Sequence, residues 1–300
     1  MSKILITGAS GLIGARLTEM LLLQGHQVVH LSRSKGVANI PIFVWDVNAG
    51  TVDERAFHGV DAVIHLAGAG VAEKRWTEKR KREILESRTR SAALIAQVLE
   101  KNQNVKLVIS ASGIGFYGEG TDTIFTEGDP QGSDFLAGVV EAWEKEVDKI
   151  PCKRIVKLRT GIVLSEKDGA LKEIMTPIRF FVGAPLGTGD QYMSWIHIDD
   201  LCRMFIKVIE DETMTGVYNA TGPGAVTNAE MTRAIAKVLK RPLWLPNIPA
   251  FVLRIFLGEM AEIVLTGSQV SSKKIQQTGF QFQFPDLNQA LENLLLEENQ

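Results

Sequence analysis

Residues 4–15, running Ile4-Leu5-Ile6-Thr7-Gly8-Ala9-Ser10-Gly11-Leu12-Ile13-Gly14-Ala15, constrain the fold of this chain more than any other stretch. A β-branched apolar run ends in a glycine-rich turn that passes directly into the helical pattern Leu12, Leu17, Met20, Leu21. Gly8 suits a tight turn, Gly11 lets backbone N–H groups approach a pyrophosphate, and Gly14 lets the helix pack closely on its strand. Phosphates seated there would meet the positive end of the helix, where unpaired amides point outward. Gly8, Ser10, Gly11, Leu12, Ile13 and Gly14 are therefore candidate cofactor contacts. The other reading of the Gly-x-x-Gly-x-x-Gly spacing is an ordinary strand-to-helix turn.

A chain of 300 residues can form one large or two unequal domains. A net charge of −2 gives nucleic-acid binding no global electrostatic support. The mixed signs of residues 73–90 argue the same way, despite Lys79-Arg80-Lys81-Arg82. Cys152 and Cys202 form neither a metal motif nor a disulfide framework and read as buried small hydrophobes. The apolar stretch 243–265 is interrupted by Pro246, Pro249, Arg254, Glu259 and Glu262, so no membrane span is expected. The first residues enter a strand with no basic-then-apolar leader, which makes the cytoplasm the expected compartment.

The first half alternates short apolar runs (3–7, 27–31, 42–45, 62–66, 106–110, 155–158) with helical patterns at 11–24, 78–101 and 135–149. Such alternation predicts an α/β fold, a doubly wound parallel sheet with helices on both faces. Right-handed crossovers place the ligand crevice at the carboxyl ends of those strands. From residue 166 prolines and glycines cluster at Pro177, Gly183, Pro185, Gly187 and Gly189, and helical patterns follow at 199–210 and 228–239. The division expected is a nucleotide domain of residues 1–167 plus 195–220 and a smaller α+β substrate domain of 168–194 plus 221–300.

The second apolar run selects the nucleotide. Chains that prefer NAD usually end this strand in an acid that holds the adenosine ribose. Here it ends in Ser32-Arg33-Ser34-Lys35, with no carboxylate. A hydroxyl and a guanidinium fork suit a 2′-phosphate, so NADP is the expected cofactor, through Ser32 and Arg33. A solvated basic loop is the alternative. Asp46, at the end of the third run, is placed to accept from the adenine amino group.

Four further segments, Asp61-Ala62-Val63-Ile64-His65-Leu66-Ala67-Gly68, Ser110-Ala111-Ser112, Phe116-Tyr117-Gly118 and Trp195-Ile196-His197-Ile198-Asp199-Asp200-Leu201, complete a pattern with the glycine turn. The chain resembles the extended short-chain dehydrogenase/reductase superfamily, whose members include sugar-nucleotide epimerases. More narrowly, Ser32-Arg33, Leu85-Glu86-Ser87-Arg88, Ala142-Trp143-Glu144, Gly279-Phe280 and Phe284-Pro285-Asp286-Leu287 are similar to an atypical, epimerase-like NADP-binding subgroup with its own C-terminal domain. The resemblance implies a Rossmann-type fold with the nucleotide lying over the strand ends. Leu66, Ala67 and Gly68 would pass beneath it as backbone, Ser110 would stand at the next strand end, and Arg159 to Val163 would run past the nicotinamide. In the subgroup the charged helix after the fourth strand also reaches the cofactor, which nominates Glu83 and Arg88; a solvated helix face is the other reading. The superfamily further allows a homodimer joined through paired helices.

Superfamily chemistry rests on Tyr-x-x-x-Lys, with a Ser one strand earlier. The Lys charge draws the phenol pKa down from about 10 toward neutrality. None of the three tyrosines fits: four residues beyond Tyr117, Tyr192 and Tyr218 stand Thr121, Ile196 and Gly222. Alignment from Ser112 puts Phe135 at the Tyr position and Val139 at the Lys position. Ser112 keeps the family's Ser position, and Tyr117 is the nearest phenol, hence the candidate substitute acid. Equally, Tyr117 could pack beside Phe116 and cap a turn with its hydroxyl. His197, Asp199 and Asp200 lack metal or triad spacing, and Asp199 or Asp200 is expected to cap the following helix. Residues 185–195 and 270–274, with Tyr192 and Trp195, are expected to contact a small-molecule substrate. The leading expectation is an NADP-dependent oxidoreductase or nucleotide-sugar epimerase-like protein acting on an unidentified small molecule. The alternative is a redox-inert NADP-binding sensor. A true sugar-nucleotide 4-epimerase is argued against by the missing Tyr.

Overall fold

The structure, a computed structural model, describes residues 1–35, 40–102 and 104–296. Its strands in the first half are β1 (Lys3–Thr7), β2 (Gln27–Ser32), β3 (Ile42–Asp46), β4 (Thr51–Val52), β5 (Ala62–His65), β6 (Leu107–Gly113) and β7 (Gly120–Phe125). The second half adds β8 (Arg154–Thr160), β9 (Ile162–Leu164), β10 (Tyr192–Met193), β11 (Trp195–His197), β12 (Gly216–Ala220), β13 (Val226–Thr227) and β14 (Ser268–Val270). Helices α1 (Leu12–Leu23), α2 (Glu78–Lys101), α3 (Phe135–Val147), α4 (Ala170–Arg179) and α5 (Ile198–Glu210) are followed by α6 (Asn228–Val238), α7 (Ala250–Leu257), α8 (Glu262–Leu265), α9 (Lys273–Gln277) and α10 (Leu287–Leu296).

One eight-stranded sheet, ordered β12-β8-β6-β5-β1-β2-β3-β4, organises the molecule. All its pairs are parallel except the edge pair β3–β4. From β1 the chain builds outward one way through β2 and β3, then returns to β5 and builds the other way. The switch point thus lies between β1 and β5, where Thr7 is in register with His65. Four of the five residues of β1 and all four of β5 are buried, as strands covered on both faces must be.

The same core cluster that holds Ile4, Ile6 and Ile64 also contains Trp195, Met231, Ile275 and Leu291, so the C-terminal region packs directly onto the nucleotide half. α5 docks on α1 through Arg16, whose Nε and a terminal nitrogen reach the Asp199 carboxylate at 2.6 and 2.9 Å. The fully buried Asp200 accepts from the backbone amides of Gln283 and Phe284 at 2.8 and 2.9 Å, and from Arg203 at 2.8 Å. The expectation that one of these acids caps α5 is corrected: the cap is His197, whose Nδ1 accepts from the Asp199 amide at 3.1 Å. Both carboxylates are spent on longer-range ties instead. Pro177 lies inside α4, a helix that the proline and glycine cluster did not suggest.

Candidate functional site

The glycine turn closes on the switch point. Gly8 has φ +69°, and a Cβ there would come within 2.9 Å of the Leu66 and Ala67 backbone as β5 exits beside it. A Cβ at Gly14 would meet Gly8 O at 2.5 Å and Ala9 Cα at 2.6 Å, so α1 rests on the turn itself. At Gly11 the same test finds only Gly8 O, at 3.3 Å. Gly11 is the N-cap of α1 and offers no side-chain acceptor, and the first turn of that helix carries no acid. Its leading amides (Leu12 and Ile13) stand at the end of the helix that favours an anion.

Thr7 underpins this geometry, a role sequence reasoning missed. Its hydroxyl accepts from the amides of Leu66 at 3.1 Å and Ala67 at 3.2 Å, and pairs with His65 Nδ1 at 2.8 Å. His65 Nε2 lies 3.1 Å from Ser91 Oγ, which itself donates to helical carbonyls of α2. With the Ser91 proton so used, His65 donates from Nε2, and Nδ1 accepts from Thr7. Burial, then the charge of Arg88, pushes the His65 pKa down to about 3, so the ring is neutral.

On the adenosine side, Ser32 ends β2 half-buried and Arg33 follows, exposed. Neither has a carboxylate beside it in the β2 end sequence. Asp46 ends the neighbouring β3, and its Oδ1 accepts from the amides of Asn48 and Ala49 at 2.9 and 3.0 Å. Glu83 is exposed and ion-paired with Arg80 at 2.9 Å, and that bond holds its carboxyl below the usual range. Arg80 also reaches Gly70 O at 2.6 Å and Glu73 at 3.0 Å, which pins the loop between β5 and α2.

Arg88 is different. Its guanidinium is sunk against Gly68, where a Cβ would come within 3.2 Å of Cζ, and it lies 5.3 Å from the Trp143 ring. One terminal nitrogen donates to Ala69 O and Ile84 O, both at 2.9 Å. Burial, then repulsion from Arg80, lowers its pKa to about 10. This half-buried guanidinium is bonded to backbone carbonyls and to no carboxylate.

Further along the carboxyl edge, Ser110 is in register with His65 and donates to Ala111 O at 2.8 Å, and Ser112 is in register with Arg159. Ser112 Oγ donates to Glu144 Oε1 at 2.5 Å. The same carboxylate takes Arg159 through Nε at 2.8 Å and a terminal nitrogen at 2.9 Å. The other terminal nitrogen of Arg159 donates to the Tyr117 hydroxyl at 3.1 Å, and that hydroxyl donates to Asn219 Oδ1 at 2.6 Å. Arg159 lies flat over Phe116, its Cζ 3.4 Å from the ring centroid. The picture of Tyr117 as an open phenol is thereby corrected: it is 2% exposed, its one proton is committed, and burial raises its pKa. Arg159, too, spends its side chain inside the protein, 4% exposed. Asn219 had no signal of its own, and Glu144 stood in the Ala142-Trp143-Glu144 segment of the resemblance without a role, because neither sits in a spaced motif with the residues it bonds.

Phe135 opens α3 and meets Trp76 edge-on at 4.9 Å, with Lys81 Nζ 5.6 Å from its ring. Val139 is buried. Val163, in β9, pairs with Ile196 of β11, and its carbonyl lies 3.9 Å from a Cβ built on Gly169, which also meets Leu12 at 3.6 Å. Tyr192 is half-buried in β10, while Trp195 is buried in the core. Among the described residues there is no cluster able to hold a metal ion, and no helix is long and apolar enough to cross a membrane.

A doubly wound parallel sheet with a glycine turn at its switch point defines a Rossmann-type protein. The chain belongs to the NAD dependent epimerase/dehydratase family, whose profile matches residues 4–136; residues 248–294 match a domain of unknown function, DUF1731. It is 36% identical over 300 residues to the epimerase family protein YfhF of Bacillus subtilis, covering 98% of each chain. The crystal structure of human epimerase family protein SDR39U1 (isoform 2) with NADPH is similar at a TM-score of 0.88 and 30% identity, over 97% of this chain and 98% of that one. UDP-glucose 4-epimerase of Thermus thermophilus, in complex with NAD, shares the fold at a TM-score of 0.75 and 19% identity, over 97% of each chain.

Proposed function

We propose that this chain binds NADP across the carboxyl edge of its sheet and acts as an epimerase-like oxidoreductase on a small molecule. The observation that carries this reading is the Gly8–Gly14 turn at the switch point beside a β2 end that offers Ser32 and Arg33 and no carboxylate. The human relative solved with NADPH supports it. In this reading the backbone of Ser10 to Ile13 holds the pyrophosphate, Arg33 and Ser32 the 2′-phosphate, and Asp46 the adenine. Leu66, Ala67 and Gly68 form the floor, Arg88 adds a second positive charge with Glu83 at its rim, and Ser110, Arg159 and Val163 border the nicotinamide end.

The cofactor, when bound, supplies hydride exchange. The protein's part is placement. Glu144 and Arg159 fix Ser112 at the strand end, and with its hydroxyl hydrogen directed at Glu144 the Ser112 oxygen has only lone pairs to offer a substrate hydroxyl. Tyr117 holds Arg159 in place. Phe135 and Trp76 provide an apolar wall where the superfamily has a phenol.

A second reading, a redox-inert NADP-binding sensor, draws on the engaged hydroxyls of Ser112 and Tyr117 and on Phe135 and Val139. The test is a titration with NADPH and NADH, followed by NADPH oxidation across a library of carbonyl compounds. Tight NADPH binding with turnover of one class supports the enzyme. Tight binding without turnover of any class supports the sensor, and no preference for NADPH refutes both.

A further inference from the structure

Two runs of the sequence, 174–189 and 231–258, contain no acidic residue, in a chain that has more acids than bases overall. The first contains Arg179, and the second Arg233, Lys237, Lys240, Arg241 and Arg254. The fold lays these runs side by side. Trp244 Nε1 donates to Phe181 O at 2.8 Å, Arg241 stacks on the Phe181 ring at 4.6 Å, and Leu186 bridges to Ile248. From Pro249 the second run continues directly into α7.

This surface is apolar as well as basic. Phe180 is 72% exposed and Trp244 66%. Helix α7 buries none of its residues, and Phe251, Ile255 and Phe256 stand out from it at 65, 65 and 71%. Two sets of exposed apolar side chains joined by the short segment 244–249 mark a contact site.

Backbone strain flanks it too. Phe181 (φ +61°) and Lys240 (φ +54°) are the two non-glycine residues with positive φ among those described. Each stands just past a helix, where Phe181 N bonds Ile178 O and Val182 N bonds Pro177 O, and where Lys240 N bonds Lys237 O and Arg241 N bonds Ala236 O. Glycine is the residue this left-handed closing position usually takes.

We propose that this face is a peripheral docking surface for an anionic lipid bilayer, with α7 lying in the plane of the interface. Apolar side chains beside cations, on a helix far too short to span, are the pattern of interfacial binding. Charge decides against a second copy of this chain: a two-fold contact would set the same cations against one another. Glu262 offsets Arg254 at 3.3 Å, and Arg179, Lys240 and Arg241 then supply the attraction to lipid phosphates.

The full-length protein is tested by flotation with phosphatidylcholine vesicles, with and without phosphatidylglycerol. It should float with the anionic vesicles alone, and added salt should release it. Lys240→Gln and Arg179→Gln should each lower partitioning about fivefold. Phe251→Ser with Phe256→Ser should abolish it with the melting temperature unchanged. Equal flotation on both vesicle types, no flotation, or indifference to these variants overturns the proposal. So does a dimer that Phe256→Ser dissolves, or retention by an acidic peptide without binding to vesicles.

Discussion

Arg159 and Glu144 form a two-point ion pair, at 2.8 and 2.9 Å, on a carboxylate that also accepts a hydrogen bond from the Ser112 hydroxyl. Both partners are less than a tenth exposed. Removing one leaves the other charged and out of water, a change that costs about 3–5 kcal/mol. Arg159→Met should therefore lower unfolding stability by that order in a urea titration. The double variant Arg159→Met with Glu144→Leu should recover part of the loss, because no lone charge is left behind. A double variant as unstable as the sum of the singles would contradict the pairing.

Arg33 tests the cofactor assignment. Arg33→Ala should weaken NADPH by about 1.5–3 kcal/mol, the worth of a charge-assisted contact, and leave NADH nearly unchanged. Isothermal titration with both nucleotides reads the difference directly. Equal losses would remove the 2′-phosphate from this position.

The glycine turn separates folding from binding. Gly14→Ala forces a methyl against backbone atoms 2.5 and 2.6 Å away, so the melting temperature should fall with a destabilisation of about 1–3 kcal/mol. Gly11→Ala meets only one atom, at 3.3 Å, and should melt close to the parent. It should nonetheless lose NADPH affinity, because the new methyl occupies the approach to the phosphates. Retained affinity in Gly11→Ala would move the pyrophosphate elsewhere.

Acid should unfold this protein through its buried histidines. His65, with a folded pKa of about 3, and His197, also lowered chiefly by burial, bind protons more readily once unfolded. Below the unfolded value of about 6.5, each costs stability as pH falls, by about 1.4 kcal/mol per pH unit until its folded pKa is reached. The contribution is fully present above about pH 6.5. Denaturant midpoints measured from pH 7 down to 4 should show this slope, and His65→Asn should flatten it. An unchanged slope in that variant would place the acid sensitivity elsewhere.

Much of the sheet was legible. The runs beginning at Lys3, Gln27, Ile42 and Ala62 are strands because buried parallel strands read as continuous apolar segments, and α2 spans the expected residues 78–101 behind its Thr77 cap. Short strands such as β10 and β13 carry no such signal, since two residues have no periodicity to read. At the site, the glycines were readable because close backbone approach leaves no other residue type. The Ser112–Glu144–Arg159–Tyr117–Asn219 chain was not, because its members come from five separate elements, up to 107 positions apart (219 − 112), and only folding joins them. Glu83 and Arg88 show the same limit: the sequence set both on one charged helix, yet one is exposed and the other sunk against Gly68.

Asp200 has a consequence for how the two ends of the chain depend on each other. Its charge is neutralised by Arg203 and by two amides of the stretch that leads into α10, while its neighbour Asp199 grips α1 through Arg16. Losing that stretch would leave the fully buried carboxylate to Arg203 alone, one residue away from the clamp on the first helix. The stretch before α10 thus steadies the first helix at second hand, and a lesion near residue 284 would be felt first as a loosened Arg16–Asp199 clamp.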